Sequence, residues 1–317
     1  MKSSSPILYM VIPCYNEEEM LDITTKELTK KLHDLIKKKI ISNESKIMYV
    51  DDGSSDKTWE IISDYNKKET LVVGVKLSRN KGHQNALLAG LMCAKKYADI
   101  TISMDADLQD DISVIDKMIF EYKNGSQIVY GVRSSRKKDS FFKRFTAQGF
   151  YKFMRLMGVD IVYNHADCRL MSKKALDSLE EFEEVNLFLR GIVPQIGYKS
   201  SIVYYERGVR VAGESKYPLK KMLKFAIDGI TSFSVKPLKM ITNLGFIMTF
   251  ISIGMLIYSI VRKWMGATVD GWTFTVVSIW FVGGVVTLSL GVIGEYVGKI
   301  YSETKKRPRF IIEEELK

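Results

Sequence analysis

Two long uncharged runs near the C-terminus constrain this chain more than any other feature. Met240 to Val261 covers 22 residues and Gly271 to Gly294 covers 24, with no charged side chain in either. At about 1.5 Å of rise per residue, each run is long enough to cross a hydrocarbon layer of about 30 Å. Helices in soluble cores seldom stay uncharged on every side for so long. Two transmembrane helices are therefore predicted, joined by a short loop from about Arg262 to Asp270. Gly283, Gly284, Ser289, Gly291 and Gly294 on the second run suit close packing against another helix. Lys236 and Lys239 precede the first run, and Lys299, Lys305, Lys306, Arg307 and Arg309 follow the second. By the positive-inside rule both flanks face the cytoplasm, so an inner-membrane, multi-pass location with the soluble part inside is expected.

The surplus of positive charge is concentrated just before these runs. The whole chain carries a net +10, and Lys199 to Lys239 holds nine Lys or Arg against three acids. There Tyr217, Leu219, Met222, Leu223 and Phe225 alternate with Lys220, Lys221 and Lys224, the pattern of an amphipathic helix lying on anionic headgroups. No recognition motif or aromatic platform supports a nucleic-acid partner. Cys14, Cys93 and Cys168 form no CxxC pair, and with three histidines in the chain they offer no zinc site, which fits a reducing compartment. No secretory-type apolar core is expected at the N-terminus, because Ile7 to Ile12 runs into Pro13 and then Glu17, Glu18 and Glu19.

The first two hundred residues alternate between β-branched apolar runs and amphipathic stretches. Strands are predicted at Ile7 to Ile12, Ile47 to Val50, Leu71 to Leu77, Ile100 to Met104 and Ile128 to Val132. Helices are predicted near Glu18 to Lys38, Lys57 to Tyr65, Gln84 to Tyr97, Ile112 to Tyr122 and Phe141 to Met157. That order implies an α/β domain with a mainly parallel, Rossmann-like sheet covered on both faces, whose ligands bind at the carboxyl ends of the strands. The expected layout is a catalytic domain over 1–215, a juxtamembrane amphipathic helix over 216–238, a membrane hairpin over 239–299 and a cytoplasmic tail over 300–317.

Three predicted strands end in polar motifs. Pro13-Cys14-Tyr15-Asn16-Glu17-Glu18 offers an aromatic ring and short polar groups that could hold a base, or a turn in which Asn16 caps the next helix. Asp51-Asp52-Gly53-Ser54-Ser55-Asp56 offers carboxylates for a pyrimidine N–H or ribose hydroxyls, with Ser54, Ser55 or Asp56 as a helix cap. Asp105 and Asp107 share one side of an extended segment, where they could converge on a hard cation such as Mg²⁺ that also holds diphosphate oxygens. No G-x-G-x-x-G follows the first strand and no G-x-x-x-x-G-K-[ST] occurs, which excludes the common dinucleotide and P-loop sites.

The ordered series Val11 to Glu18, Val50 to Asp56, Arg79-Asn-Lys-Gly-His-Gln-Asn-Ala86, Met104 to Asp110, Asp167-Cys-Arg-Leu-Met-Ser172 and Arg210 to Tyr217 resembles the family 2 glycosyltransferases with the GT-A fold. Within them it is similar to the bacterial polyprenyl-phosphate glycosyltransferases related to dolichol-phosphate mannose synthase. The resemblance implies inverting transfer of one sugar from a nucleotide diphosphate donor, UDP-glucose or UDP-N-acetylglucosamine favoured, to undecaprenyl phosphate. GDP-mannose as donor, or a non-catalytic membrane partner of a lipid-carrier system, are the alternatives. A processive polysaccharide synthase is disfavoured by two spans and by the absence of Gln-x-x-Arg-Trp.

The same resemblance implies nucleotide binding by Pro13, Tyr15, Asn16, Glu17, Asp52 and Asp105, and a Mg²⁺ or Mn²⁺ ion on Asp105, Asp107 and Gln109. It gives Asp167 a catalytic role, with a local ion pair to Arg169 as the structural alternative. It assigns the acceptor phosphate to Arg133, Arg144, Arg210 and Lys216, and implies a homo-oligomer, a tetramer. Where relatives often carry two prolines after the third motif, Asp110-Asp111-Ile112 stands here, which is expected to loosen that turn.

Overall fold

A strand covered on both faces has no polar side to show, so its sequence reads as one apolar run. β1 (Leu8–Cys14) is the extreme case, with every residue buried. It pairs in parallel with β2 (Lys46–Asp51) on one side and β4 (Ile100–Ser103) on the other, and β2 pairs in parallel with β3 (Val72–Leu77). β5 (Ile128–Arg133), β6 (His165–Ser172), β7 (Ser200–Tyr205) and β8 (Ile312–Leu316) complete a sheet of order β7-β5-β6-β4-β1-β2-β3-β8. β6 runs antiparallel to both β4 and β5, and β8 runs antiparallel to β3.

The computed structural model describes residues 5–133, 165–206, 230–231, 234–265 and 271–317. They fall in two compact units: 5–133, 165–206 and 307–317 in the first, and 230–231, 234–265 and 271–306 in the second. Arg144, Arg210, Lys216, the helix predicted at Phe141 to Met157 and most of the amphipathic stretch 216–238 lie outside the described residues.

In the first unit, helices α1 (Leu21–Lys37), α2 (Thr58–Lys68), α3 (His83–Ala94) and α4 (Val114–Lys123) each follow a strand. α1 buries Leu21, Leu28, Leu32 and Leu35, a stripe at helical spacing. α3 is covered almost all round from Ala86 to Leu91, and its Gly90 allows the helix to sit directly on the sheet. A Cβ there would fall 2.5 Å from both Val11 Cγ1 and Val50 Cγ2. After β3 the chain returns to the far side of β1 as β4, so the switch in strand order lies between β1 and β4. Crevices for ligands open at such a point.

Three strands, β6, β7 and β8, lie beyond those the sequence predicts. Residues 300–317, expected as a tail, divide: the second apolar helix runs on to Thr304, and Ile312–Leu316 joins the sheet edge. Trp59 Nε1 donates to Glu314 Oε2 at 3.1 Å and Lys76 lies 3.5 Å from Glu313. Helix α5 (Lys173–Glu180), with Ser172 capping it through Ala175 N–H, and α6 (Leu189–Gln195) follow β6.

The second unit contains α7 (Lys236–Trp264) and α8 (Trp272–Thr304), of 29 and 33 residues. Lys236–Met255 and Phe281–Thr304 each have a mean hydropathy of 1.5 and are long and apolar enough to cross a membrane. A Cβ at Gly283, Gly284, Gly291 or Gly294 would meet nothing within 4 Å, so the packing expected of these small residues is not with another part of this chain among the described residues.

Candidate active site

The rim of the crevice is stitched from three loops. Asn16, in the left-handed region at φ 53°, donates its N–H to Ser54 Oγ at 3.0 Å, and its Oδ1 accepts from Ser55 N–H at 2.9 Å. It therefore ties the β1 loop to the β2 loop, and Met20 rather than Asn16 is the N-cap of α1. Glu17 donates its N–H to Thr58 Oγ1 at 2.9 Å. Gly53, at φ +66°, lets the loop after β3 approach, for a Cβ there would lie 2.6 Å from the backbone of Arg79 and Asn80. The result is visible at Asp52, whose two oxygens accept from Lys81 N–H at 2.7 Å and Gly82 N–H at 2.8 Å. Burial pushes the Asp52 carboxyl up and these two bonds pull it back. Asp52 thus ties the β2 loop to the loop after β3 with both its oxygens. Pro13 is buried in β1, while the Tyr15 ring stands 47% exposed at the strand end.

The centre is built where β4 meets β6. Ser103 Oγ donates to the carbonyl of Asp167 at 2.6 Å, which fixes the start of β6 beside the end of β4. The Asp105 and Asp167 side chains thereby come together with His83, the first residue of α3. His83 Nε2 lies 3.8 Å from Asp105 Oδ1 and 3.7 Å from Asp167 Oδ2. The ligand atoms of the three lie within 4.8 Å of one another. Of the three, His83 and Asp105 are fitting donors for Mn²⁺ and, through the carboxylate, for Mg²⁺. The Asp105 carboxyl is raised to about 6: burial pushes it up most, His83 draws it down, and the charges of Asp167, Asp110 and Asp107 add to the rise. Such mutual repulsion is what a bound cation relieves.

Asp107 sits on the adjoining turn, buried, with Oδ1 accepting from Gln109 N–H at 3.2 Å. The turn is not loosened by the missing prolines. Tyr205 OH donates to Asp110 Oδ1 at 2.5 Å, and Asp111 accepts from both Ser113 N–H and Ser113 Oγ, at 2.8 and 2.6 Å. From the other side Thr24 Oγ1 donates to the carbonyl of Ala106 at 2.6 Å.

Asp167 finds its ionic partner in Arg190 of α6. Arg190 Nε lies 3.0 Å from Oδ1 and Nη2 2.8 Å from Oδ2, a two-pronged pair. Arg169, the partner considered from sequence, is buried with its guanidinium over the Tyr130 ring at 5.8 Å, and the Asp167 charge acts on it as well. Arg133 closes β5 opposite Tyr205. Burial lifts the thiols of Cys14 and Cys168 well above their ordinary range, which leaves them unsuited to nucleophilic work.

A mainly parallel sheet thus carries an acidic centre at the carboxyl end of β4, with hydrogen-bonded loops beside it. Residues 9–180 match the family described as "Glycosyl transferase family 2", and residues 236–300 match "GtrB C-terminal hairpin". The chain belongs to glycosyl transferase family 2 and is a glycosyltransferase of the α/β GT-A fold. It is 53% identical over 316 residues to "Uncharacterized glycosyltransferase YkoT" of Bacillus subtilis, covering 100% of this chain and 94% of that one. It is 37% identical over 311 residues to "Prophage bactoprenol glucosyl transferase homolog" of Escherichia coli, covering 96% and 97%. Against "Bactoprenol glucosyl transferase" of Shigella phage SfX it is 38% identical over 308 residues, again covering 96% and 97%.

Proposed function

We propose that this chain transfers a single glucose from UDP-glucose to a polyprenyl phosphate held in the membrane, at the cytoplasmic face. What carries the reading is that relatives named bactoprenol glucosyl transferases align over 96% of this chain, through the catalytic unit and the apolar hairpin alike. A polyprenyl phosphate stays in the bilayer, so an enzyme acting on it needs an anchor at headgroup height, which α7 and α8 supply. Lys236, Lys239, Lys305, Lys306, Arg307 and Arg309 flank the hairpin and favour the cytoplasmic side for both ends.

In this reading Tyr15 stacks the base, while Asp52 and Asn16 hold the rim that receives the nucleoside. Asp105, with Asp107, Gln109 and His83 about it, would hold a Mg²⁺ or Mn²⁺ ion. That ion would offset charge on the departing diphosphate. Asp167 faces the reacting carbon and orients the acceptor, whose phosphate is met by Arg133, Arg144, Arg210 and Lys216. A phosphate monoester is already largely ionised at neutral pH, with a second pKa of about 6, so Asp167 orients more than it abstracts.

The test is incubation of purified protein with undecaprenyl phosphate and labelled UDP-glucose, UDP-N-acetylglucosamine, UDP-galactose or GDP-mannose, counting label in the lipid phase. Label from UDP-glucose is expected. Label from another donor alone overturns the sugar, and label from none overturns the acceptor.

A further inference from the structure

Asp105 and Asp167 bring two carboxylates to one site, and left alone they would repel. The guanidinium of Arg190 answers that charge from α6, with paired contacts of 3.0 and 2.8 Å to the two Asp167 oxygens. Two parallel bonds fix the plane of a carboxylate as well as its position, which a single ammonium does not do. The arginine is itself held on the scaffold. The N–H of Leu189, one residue before it, donates to Gln84 Oε1 at 2.8 Å. Gln84 is the second residue of α3, the helix that Gly90 seats against β1 and β2. From the opposite side Ser103 Oγ holds the Asp167 backbone. One carboxylate is thus fixed through both its main chain and its side chain, beyond what an ordinary surface ion pair requires.

We propose that Arg190 is a positioning residue of the sugar transfer: its two-pronged contact sets the Asp167 carboxylate beside Asp105, and Gln84 sets Arg190. The inference rests on Asp167 working in the active site as read above. Its chemistry is geometric. A displacement of about 1 Å at a reacting centre costs about 100-fold in rate, whereas substrate contacts made elsewhere are untouched.

The experiment is a double-mutant cycle on the full-length protein in polyprenyl-phosphate-containing micelles, with Arg190→Gln, Arg190→Lys, Asp167→Asn, the Asp167→Asn/Arg190→Gln pair and Gln84→Met. Turnover is read both as labelled sugar in the lipid phase and as release of nucleoside diphosphate, which reports transfer to any acceptor, water included. Thermal unfolding is recorded for each variant. Arg190→Gln should lower kcat by about 100-fold with the KM for nucleotide sugar within about twofold, and Arg190→Lys should lie between it and the wild type. The double variant should be no slower than the worse single one. Gln84→Met, which removes only the acceptor for Leu189 N–H, should lower kcat about three- to tenfold with the same unchanged KM, and serves if Arg190→Gln does not fold. Additive losses in the double variant, a change in KM with kcat intact, or an Asp167→Asn variant as fast as the wild type each overturn the role of Arg190. Diphosphate release without lipid label counts instead against the acceptor, and the cycle is then read on that release.

Discussion

In the catalytic unit β1 buries all seven of its residues, and α1 turns Leu21, Leu28, Leu32 and Leu35 inward while Lys26, Lys30 and Lys37 face out. In the hairpin unit the same residue types are arranged the other way. Phe250 is 72% exposed, and Phe246, Ile251 and Leu288 are likewise open along helices of mean hydropathy 1.5. Apolar side chains in the first unit find partners in one another, packed as densely as an organic crystal. Those of the second suit a surrounding medium as apolar as themselves, where helix association owes little to hydrophobicity. Tolerance to change should follow from this. In the catalytic unit contact and charge decide what a substitution costs, and in the hairpin the polarity of the new side chain decides.

The largest effect expected separates chemistry from anchoring. If Asp105 holds a cation as proposed, Asp105→Asn removes a charge that the cation needs and loses several kcal/mol of electrostatic stabilisation; at about 1.4 kcal/mol per tenfold that is on the order of 1000-fold in kcat. Its membrane retention should not change. Phe250→Arg should do the reverse, costing about 3 kcal/mol for insertion near the middle of a span and lowering the fraction recovered in carbonate-washed membranes. An Asp105→Asn protein with full turnover would break the assignment of the cation, and a Phe250→Arg protein retained as well as wild type would break that of the span.

Next in size is the dependence on pH. The Asp105 carboxyl stands at about 6, above its ordinary 3.8, chiefly through burial. A raised carboxyl means that the folded state holds the proton more tightly than the unfolded one. Its contribution to stability is therefore full below pH 3.8 and is lost as pH rises through about 6. A cation needs the ionised form and gains where the proton leaves. Apparent Mn²⁺ affinity should fall at least tenfold per pH unit below 6, with at least one proton displaced per ion. Titration of Mn²⁺ by calorimetry between pH 5 and 7.5 checks this, and an affinity flat across that range would remove Asp105 from the ligand set. No such dependence is expected from the hairpin unit.

How much of this was legible in the sequence follows the same division. β-branched runs announce β1 to β5 because buried parallel strands have no polar side, and the two uncharged runs announce α7 and α8 for the analogous reason. β6 and β7 escaped because they carry His165, Asp167, Arg169 and three serines among their apolar residues. β8 escaped because three glutamates in Ile312–Leu316 look like a solvated tail, and only Lys76 and Trp59 of the neighbouring elements explain them. At the site, strand ends made Tyr15, Asp52, Asp105 and Asp107 readable. His83 lies within Arg79 to Ala86, whose pattern alone points to no role for it. Arg190 had no motif at all: a short helix 23 residues beyond Asp167 delivers it, and only the fold brings the two together.

The smallest effect is the sharpest test of the contrast, because it uses one substitution in two places. Replacing a helical glycine by alanine should stabilise by up to about 1 kcal/mol from backbone propensity alone. At Gly90 the new methyl meets Val11 Cγ1 and Val50 Cγ2 at 2.5 Å, both branched side chains of central strands with nowhere to turn. Overpacking of that kind costs about 1–3 kcal/mol, so Gly90→Ala should be net destabilising by about 1 kcal/mol and lower the midpoint of thermal unfolding in detergent. At Gly284 a Cβ meets nothing within 4 Å. Gly284→Ala should leave the midpoint unchanged or raise it slightly. If Gly90→Ala instead stabilises, α3 is not seated on β1 and β2 as tightly as described. If Gly284→Ala destabilises by as much as Gly90→Ala, the hairpin is packed through its glycines against a helix from outside this chain, and the two units differ less than their exposed surfaces imply.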